Sequence, residues 1–218
     1  GLERVASILQ GVDSNFETDL FKPIIDSVVD ITGIEYKKNE VTTMAYRVIA
    51  DHIRGVTMAI FDGVLPSNEG RGYVIRRLLR RAVRFGGKLG FDNPFLYNLI
   101  PVVMQVMSAG YPELSEQKDQ IKKVVKSEEE RFFQTLDQGL EILNEMIADL
   151  NQGGKNVLSG IDAFRLYDTY GFPLDLTKDV LEEEGLSVDE DGFIAEMEKQ
   201  KQRARKARNK SGFAPDAE

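Results

Sequence analysis

The chain has no cysteine and a single histidine, His52. The first absence removes disulfides and thiolate metal sites, and it fits a reducing, cytoplasmic compartment. The second leaves a Ser-His-Asp triad, a two-histidine metal site and a mixed Cys/His zinc site short of parts, so no bound metal is expected. No apolar run approaches the roughly 18 residues of a membrane span. The opening GLERVASILQ has an acid and a base where a secretion signal needs an apolar stretch. With no Met in front, it enters in mid-pattern, as a piece of a longer protein would. Positive charge is in short supply: 28 Lys and Arg stand against 36 Asp and Glu, a net charge of −8. A chain of that sign repels a polyanion as a whole, so any nucleic-acid site must be a local patch.

What is present is ordinary globular material. The 218 residues are 42% hydrophobic and 29% charged, enough for one large or two small domains with a real core. Apolar residues recur at helical spacing nearly everywhere, so the expected fold is mostly α, a multi-helix bundle in two helical subdomains with little or no β-sheet. Helices are expected over about 2–9, 21–32, 42–62 (capped by Thr42 or Thr43), 71–86, 115–150, 159–170, 175–184 and onward from 189. Pro94 and Pro101 split the segment between Phe91 and Pro112 into two short helices. The NQGGKN run at 151–156 reads as a linker, and a short strand pair is expected near 33–41. On the long helix, Ile121, Val124, Val125, Phe132, Leu136, Leu140, Leu143 and Ile147 mark the buried side, while Glu128, Glu129 and Glu130 read as a solvated face.

The most informative segment is RGYVIRRLLRRAVR, residues 71–84. It holds six arginines and no acid, a local charge of +6 that leaves −14 for the other 204 residues. Ile75, Leu78, Leu79 and Ala82 fall on one stripe, and Arg77, Arg80, Arg81 and Arg84 fall on the opposite side. Arginine forks onto phosphate, so one reading is a phosphate-binding helix. The other is that these arginines pair with carboxylates of neighbouring helices. The preceding turn, PSNEGRGY, puts Asn68 at the mouth of the helix, as a cap or as an amide able to donate and accept against a base edge. In FRLYDTYGFP, Asp168 between two tyrosines is either an ion-pair partner or a reader of a donor group. His52, in DHIR, reads as a hydrogen-bonded structural histidine. Enzymatic action through His52 and nearby acids is the weaker alternative, because no nucleophile–base pair is evident.

Three blocks, RVIADHIR (47–54), DGVLPSNEGRGYVIRRLLRRAVR (62–84) and FRLYDTYGFPLDLT (164–177), closely resemble the alanyl-tRNA synthetases, a class II aminoacyl-tRNA synthetase family. The resemblance covers essentially the whole chain. It implies that residues 1–20 close the catalytic core, with Gly1-Leu2-Glu3-Arg4 ending motif 3 and Arg4 contacting ATP. It implies a helical tRNA-recognition subdomain over 21–150, a second with a basic C-terminal helix over 157–210, and a tail at 211–218.

In such a family the parent enzyme is an alanine–tRNA ligase using ATP and Mg. The partner is the acceptor stem of tRNA(Ala), not DNA and not a membrane. Asn68 and Asp168 match the residues that read the G·U pair near the acceptor end. Arg71, Arg77, Arg80, Arg81 and Arg84 become the grip on the RNA backbone, with Arg80 or Arg81 matching the family's stem-contacting arginine. Motifs 1 and 2 and the editing domain's zinc site are not among these residues, so no cofactor is expected on them and no alanine activation by them alone. The competing expectation is an all-helical interaction module whose arginine-rich helix docks an acidic protein partner.

Overall fold

The computed structural model describes residues 1–67 and 70–210, with side chains up to residue 203. The chain is mostly helical, as its periodicity requires. In order run α1 (Leu2–Gln10), α2 (Lys22–Thr32), α3 (Glu40–Phe61), α4 (Gly70–Gly87), α5 (Ile100–Met107), α6 (Lys118–Gln152), α7 (Gly160–Tyr170), α8 (Leu174–Glu183) and α9 (Glu190–Lys210). It divides into two compact units, residues 1–134 and 135–218, with the division inside α6.

In the first unit, α2 buries Ile24, Ile25 and Val28, α3 buries Tyr46, Ile49, Ile53 and Val56, and α4 buries Leu79, Ala82 and Val83. Leu96, Leu99, Ile100 and Val103, with Ile121, Val125 and Phe132 of α6, complete that core. Each fully buried aliphatic side chain contributes about 1.5–3 kcal/mol. The α3 cap differs from expectation. Asn39 rather than a threonine is the N-cap, and Thr42 is its reciprocal partner in a capping box: the Thr42 amide donates to Asn39 Oδ1 at 2.8 Å. Residues 33–41 form no strand. Gly33 ends α2, the chain turns through Lys37 at φ 66°, and Tyr46 donates its hydroxyl to the Ile34 carbonyl. Those local bonds take up the backbone that a strand pair would have needed.

In the second unit the strands lie elsewhere: β1 (Val157–Leu158) pairs in parallel with β2 (Ser187–Val188), Val157 opposite Ser187. Two helices, α7 and α8, make the crossover that a parallel pair requires. The cap at Ser159 is as the sequence implied, accepting from the Asp162 amide at 3.1 Å and donating to Asp162 Oδ2 at 2.6 Å. Gly171 in the left-handed region ends α7. Leu143, Leu158, Ala163, Leu166, Phe172, Leu176 and Leu181 form the core, and a Cβ at Gly139 would sit 2.6 Å from the Phe172 ring. The 151–156 segment is the last turn of α6 and a short bend before β1.

Candidate nucleic-acid interface

Two things place the arginine-rich helix. Its apolar stripe is buried as expected at Ile75, Leu79 and Ala82, while Leu78 is only half-buried. Its entry is set by Gly72, where a Cβ would stand 2.2 Å from the Leu65 carbonyl oxygen and 2.3 Å from Ser67 Oγ. Only glycine lets the 64–67 turn lie this close, and the Ser67 amide then donates to the Gly72 carbonyl at 3.1 Å. Asn68, the expected base reader in this turn, lies outside the described residues.

The arginines do not form the open face that their spacing suggested. Arg71 is exposed, but Arg77, Arg80 and Arg81 are half-buried and Arg84 is 7% exposed. The cause is α6. Its Glu128, expected on a solvated face, is 4% exposed; it forms an ion pair with Arg76, whose Nε lies 2.9 Å away, and accepts hydrogen bonds from Arg80 Nε and Nη2, each at 3.1 Å. The Arg80 guanidinium also lies 5.0 Å from the Phe132 ring centroid, and those of Arg81 and Arg84 lie 5.7 Å from Phe85. So the intramolecular pairing weighed from the sequence does occur, at least at Arg76 and Arg80. Glu128 is thus shared by two guanidinia, and Arg76, Arg77, Arg80, Arg81 and Arg84 each have further interactions besides.

Glu129 is the second correction to the solvated face. It is 1% exposed. Its Oε1 accepts from the Phe95 and Leu96 amides at 2.8 Å each, and its Oε2 accepts from the Tyr97 amide at 3.0 Å. It thereby fixes the 3-10 turn Leu96–Leu99 that leads into α5. Burial pushes its carboxyl up to about 7, against the three amides that favour the charged form. Of the three acids only Glu130 is exposed, as expected.

In the second unit Asp168 is exposed on α7, and its Oδ1 accepts from the Gln200 side-chain amide of α9. The aromatic residues around it are anchored: Phe164 and Tyr167 meet the Phe193 ring at 6.1 and 5.7 Å between centroids. That packing holds α7 against α9 while Asp168 stays at the surface. Lys199 and Lys201, expected in a basic tail, pair with Glu196 and Glu198.

Arg4 is exposed on α1, whose neighbouring Glu3 pairs with Arg54 at 2.6 Å. An exposed arginine on a nine-residue helix is not by itself a triphosphate site, so no step through ATP is derived from these residues. His52 Nδ1 lies 3.0 Å from Asp51 Oδ2, and that hydrogen bond holds the Asp51 carboxyl below its ordinary range. Among the described residues no group of three His, Asp or Glu could hold a metal, and no helix is long and apolar enough to cross a membrane. Sequence reasoning missed Glu128, Glu129 and Gln200. Each meets its partners 32 or more residues away, where periodicity carries no signal.

The sequence pattern of the tRNA synthetases class II (A) matches residues 1–218. The chain is 57% identical over 212 residues to an alanine–tRNA ligase of Halalkalibacterium halodurans, which covers 97% of this chain and 24% of that protein. It is 58% identical over 208 residues to one from Alkaliphilus oremlandii (95% and 24%) and 55% identical over 213 residues to one from Pelotomaculum thermopropionicum (98% and 24%). The chain thus spans about a quarter of the length of these relatives. A pattern that fits from the first residue to the last shows the family, and this chain belongs to the class II tRNA synthetases (A).

Proposed function

We propose that the chain is the acceptor-stem recognition part of a cytoplasmic alanine–tRNA ligase, which attaches alanine to tRNA(Ala) at the expense of ATP. The observation that carries this reading is the match to alanine–tRNA ligases over 95–98% of the chain. The arrangement of charge supports it. Arg71, at the exposed entry of α4, meets the RNA backbone, and Arg77, Arg80, Arg81 and Arg84 add cationic charge to the same helix. Arg4 belongs to the ATP-contacting set of the longer enzyme, and residues 1–20 belong to its catalytic core. Residues 21–150 and 157–210 form the two recognition subdomains.

Base reading falls to Asn68 and Asp168. In A-form RNA the shallow minor groove is the accessible one, and a G·U wobble leaves the guanine 2-amino group there without its usual partner. A carboxylate accepts from that group, and Gln200 supports this by holding Asp168 Oδ1. A phosphate would repel Asp168, so the carboxylate has a role only toward a donor.

The test is binding of this chain to alanine acceptor-stem RNA carrying G·U or G·C, for the unsubstituted protein, Asn68→Ala and Asp168→Ala. Loss of one base contact is expected to cost about 1–3 kcal/mol of preference, by analogy with DNA readers. Equal preference in all three proteins sinks the base-reading roles. Binding that ignores the RNA and follows an acidic protein instead supports the interaction-module alternative.

A further inference from the structure

A second cationic surface lies on the same unit, on the N-terminal part of α6. Residues 118–127 hold Lys118, Lys122, Lys123 and Lys126 against one acid, Asp119, a charge of +3 in a chain of −8. Lys118, Lys122 and Lys126 repeat every four residues and so share one side of the helix, about 6 Å apart along its axis. Two of them flank an aromatic ring: Lys122 Nζ is 5.8 Å and Lys126 Nζ 5.3 Å from the Tyr97 centroid.

Tyr97 does not wander, because Glu129 holds its amide from beneath. The turn that carries it is wedged in place by Phe95, which stacks on Phe91 at 3.8 Å and fits only because residue 86 is glycine. The surface is an aromatic ring, anchored through its backbone amide, with two ammonium groups over it.

Helix stability does not explain these lysines. Lys118, the first residue of α6, opposes the macrodipole, whose effect is confined to the first turn, at a cost of a few tenths of a kcal/mol. The Lys126–Glu130 pair, at 3.7 Å, has lysine N-terminal to glutamate, the less favourable order. Three lysines on one stripe also repel one another. An anion with charges repeated at similar spacing relieves all of this, and a nucleic-acid strand is such an anion.

We propose that Lys118, Lys122 and Lys126, framed around Tyr97, form a second contact for the RNA phosphodiester backbone, separate from the arginines of α4. It rests on the RNA-binding reading above. The contact is electrostatic and indifferent to sequence, and it lengthens the stretch of RNA that the chain engages.

The experiment is binding of the 218-residue chain to a tRNA(Ala) transcript over a salt series, for the unsubstituted protein, Lys122→Gln/Lys126→Gln, Lys122→Arg/Lys126→Arg and Lys118→Gln. The double glutamine variant is expected to flatten the salt slope by about 1.4–1.8, from 0.7–0.9 per phosphate contact. Its affinity drops roughly 25- to 60-fold near 0.1 M salt, equally for wobble and Watson–Crick stems. The arginine pair keeps slope and affinity. Lys118→Gln, at an exposed position, flattens the slope by about 0.7–0.9 even if the Tyr97 platform is disturbed in the double variant. Unchanged slopes in both glutamine variants, with the unsubstituted chain binding tRNA, overturn this proposal and leave the acceptor-stem reading standing. Failure of the unsubstituted chain to bind overturns both.

Discussion

Replacing Glu128 by glutamine tests the electrostatic centre of the first unit. The change removes one charge and almost no volume, so the effect is not a cavity. The Glu128 side chain is 5% exposed, and Arg76 and Arg80 are 16% and 13% exposed. At such depth water screens little, and each contact, near 3 Å, is worth several kcal/mol before desolvation is charged against it. Removing one partner of a buried pair leaves the others uncompensated, which typically costs about 3–5 kcal/mol. Here Arg76 and Arg80 lose the carboxylate they share. Glutamine keeps one oxygen that can accept from one guanidinium, so the expected loss is about 3 kcal/mol. The assay is hydrogen exchange of the α4 backbone amides, which reads the opening of this helix without requiring the two units to unfold together. A loss of 3 kcal/mol speeds exchange at the best-protected α4 positions about 100-fold. Exchange within a factor of about 5 of the unsubstituted chain refutes the view that Glu128 holds this helix in place.

Three further outcomes follow from the same geometry. Glu129, raised from 4.5 to about 7 in the folded chain, binds its proton more tightly folded than unfolded, so its stabilisation is full below pH 4.5 and is lost as pH rises to about 7. The difference is about 3 kcal/mol. Stability measured from pH 5 to 8 should therefore fall relative to Glu129→Gln, and a difference between the two that does not change with pH refutes the assignment. Gly72→Ala drives a methyl into the Leu65 carbonyl and Ser67 Oγ, so the 64–67 turn must shift. We expect a cost of about 1–3 kcal/mol in thermal unfolding and weaker RNA binding, whereas Gly87→Ala, with nothing near its Cβ, should stabilise α4 or leave it unchanged. Gly139→Ala meets the buried Phe172 ring at 2.6 Å and is expected to destabilise the second unit by a similar amount, read as faster exchange of α8 amides.

Local information explains what was legible in the sequence. The stripes of α4 and α6, the Ser159 cap and the glycine stop at 171 depend on neighbours within one or two turns, and those are in the pattern. Buried carboxylates are not. Glu128 and Glu129 sit where helical periodicity places polar residues, on the border of the apolar stripe. What buries them is Arg76 and Arg80 on one side and the amides of residues 95–97 on the other. The strand pair failed for a related reason: two-residue strands follow from where a crossover returns, not from β-propensity. At the candidate interface, the arginine segment announced itself by charge segregation. The division of its arginines between Glu128 and the field around α4 did not. The Tyr97–lysine surface was equally silent, because its ring and its ammonium groups come from segments 25 or more residues apart.

The net charge gives these local devices a common logic. A chain of −8 repels RNA at long range, so a wrong approach gains nothing from diffuse attraction. On the RNA-binding reading proposed above, binding comes from short-range contacts at positive patches such as α4, and the Debye length of about 8 Å at physiological salt confines each to its own neighbourhood. Glu128 sharpens this further. By pairing with Arg76 and accepting from Arg80 it offsets part of the positive charge of α4 and limits the directions in which those guanidinia can point. An unpaired cluster of six arginines would hold almost any phosphate. On the same RNA-binding reading, a cluster held from behind by a buried acid holds phosphate only where the RNA backbone fits, and discrimination falls to the proposed readers Asn68 and Asp168, which carry no positive charge.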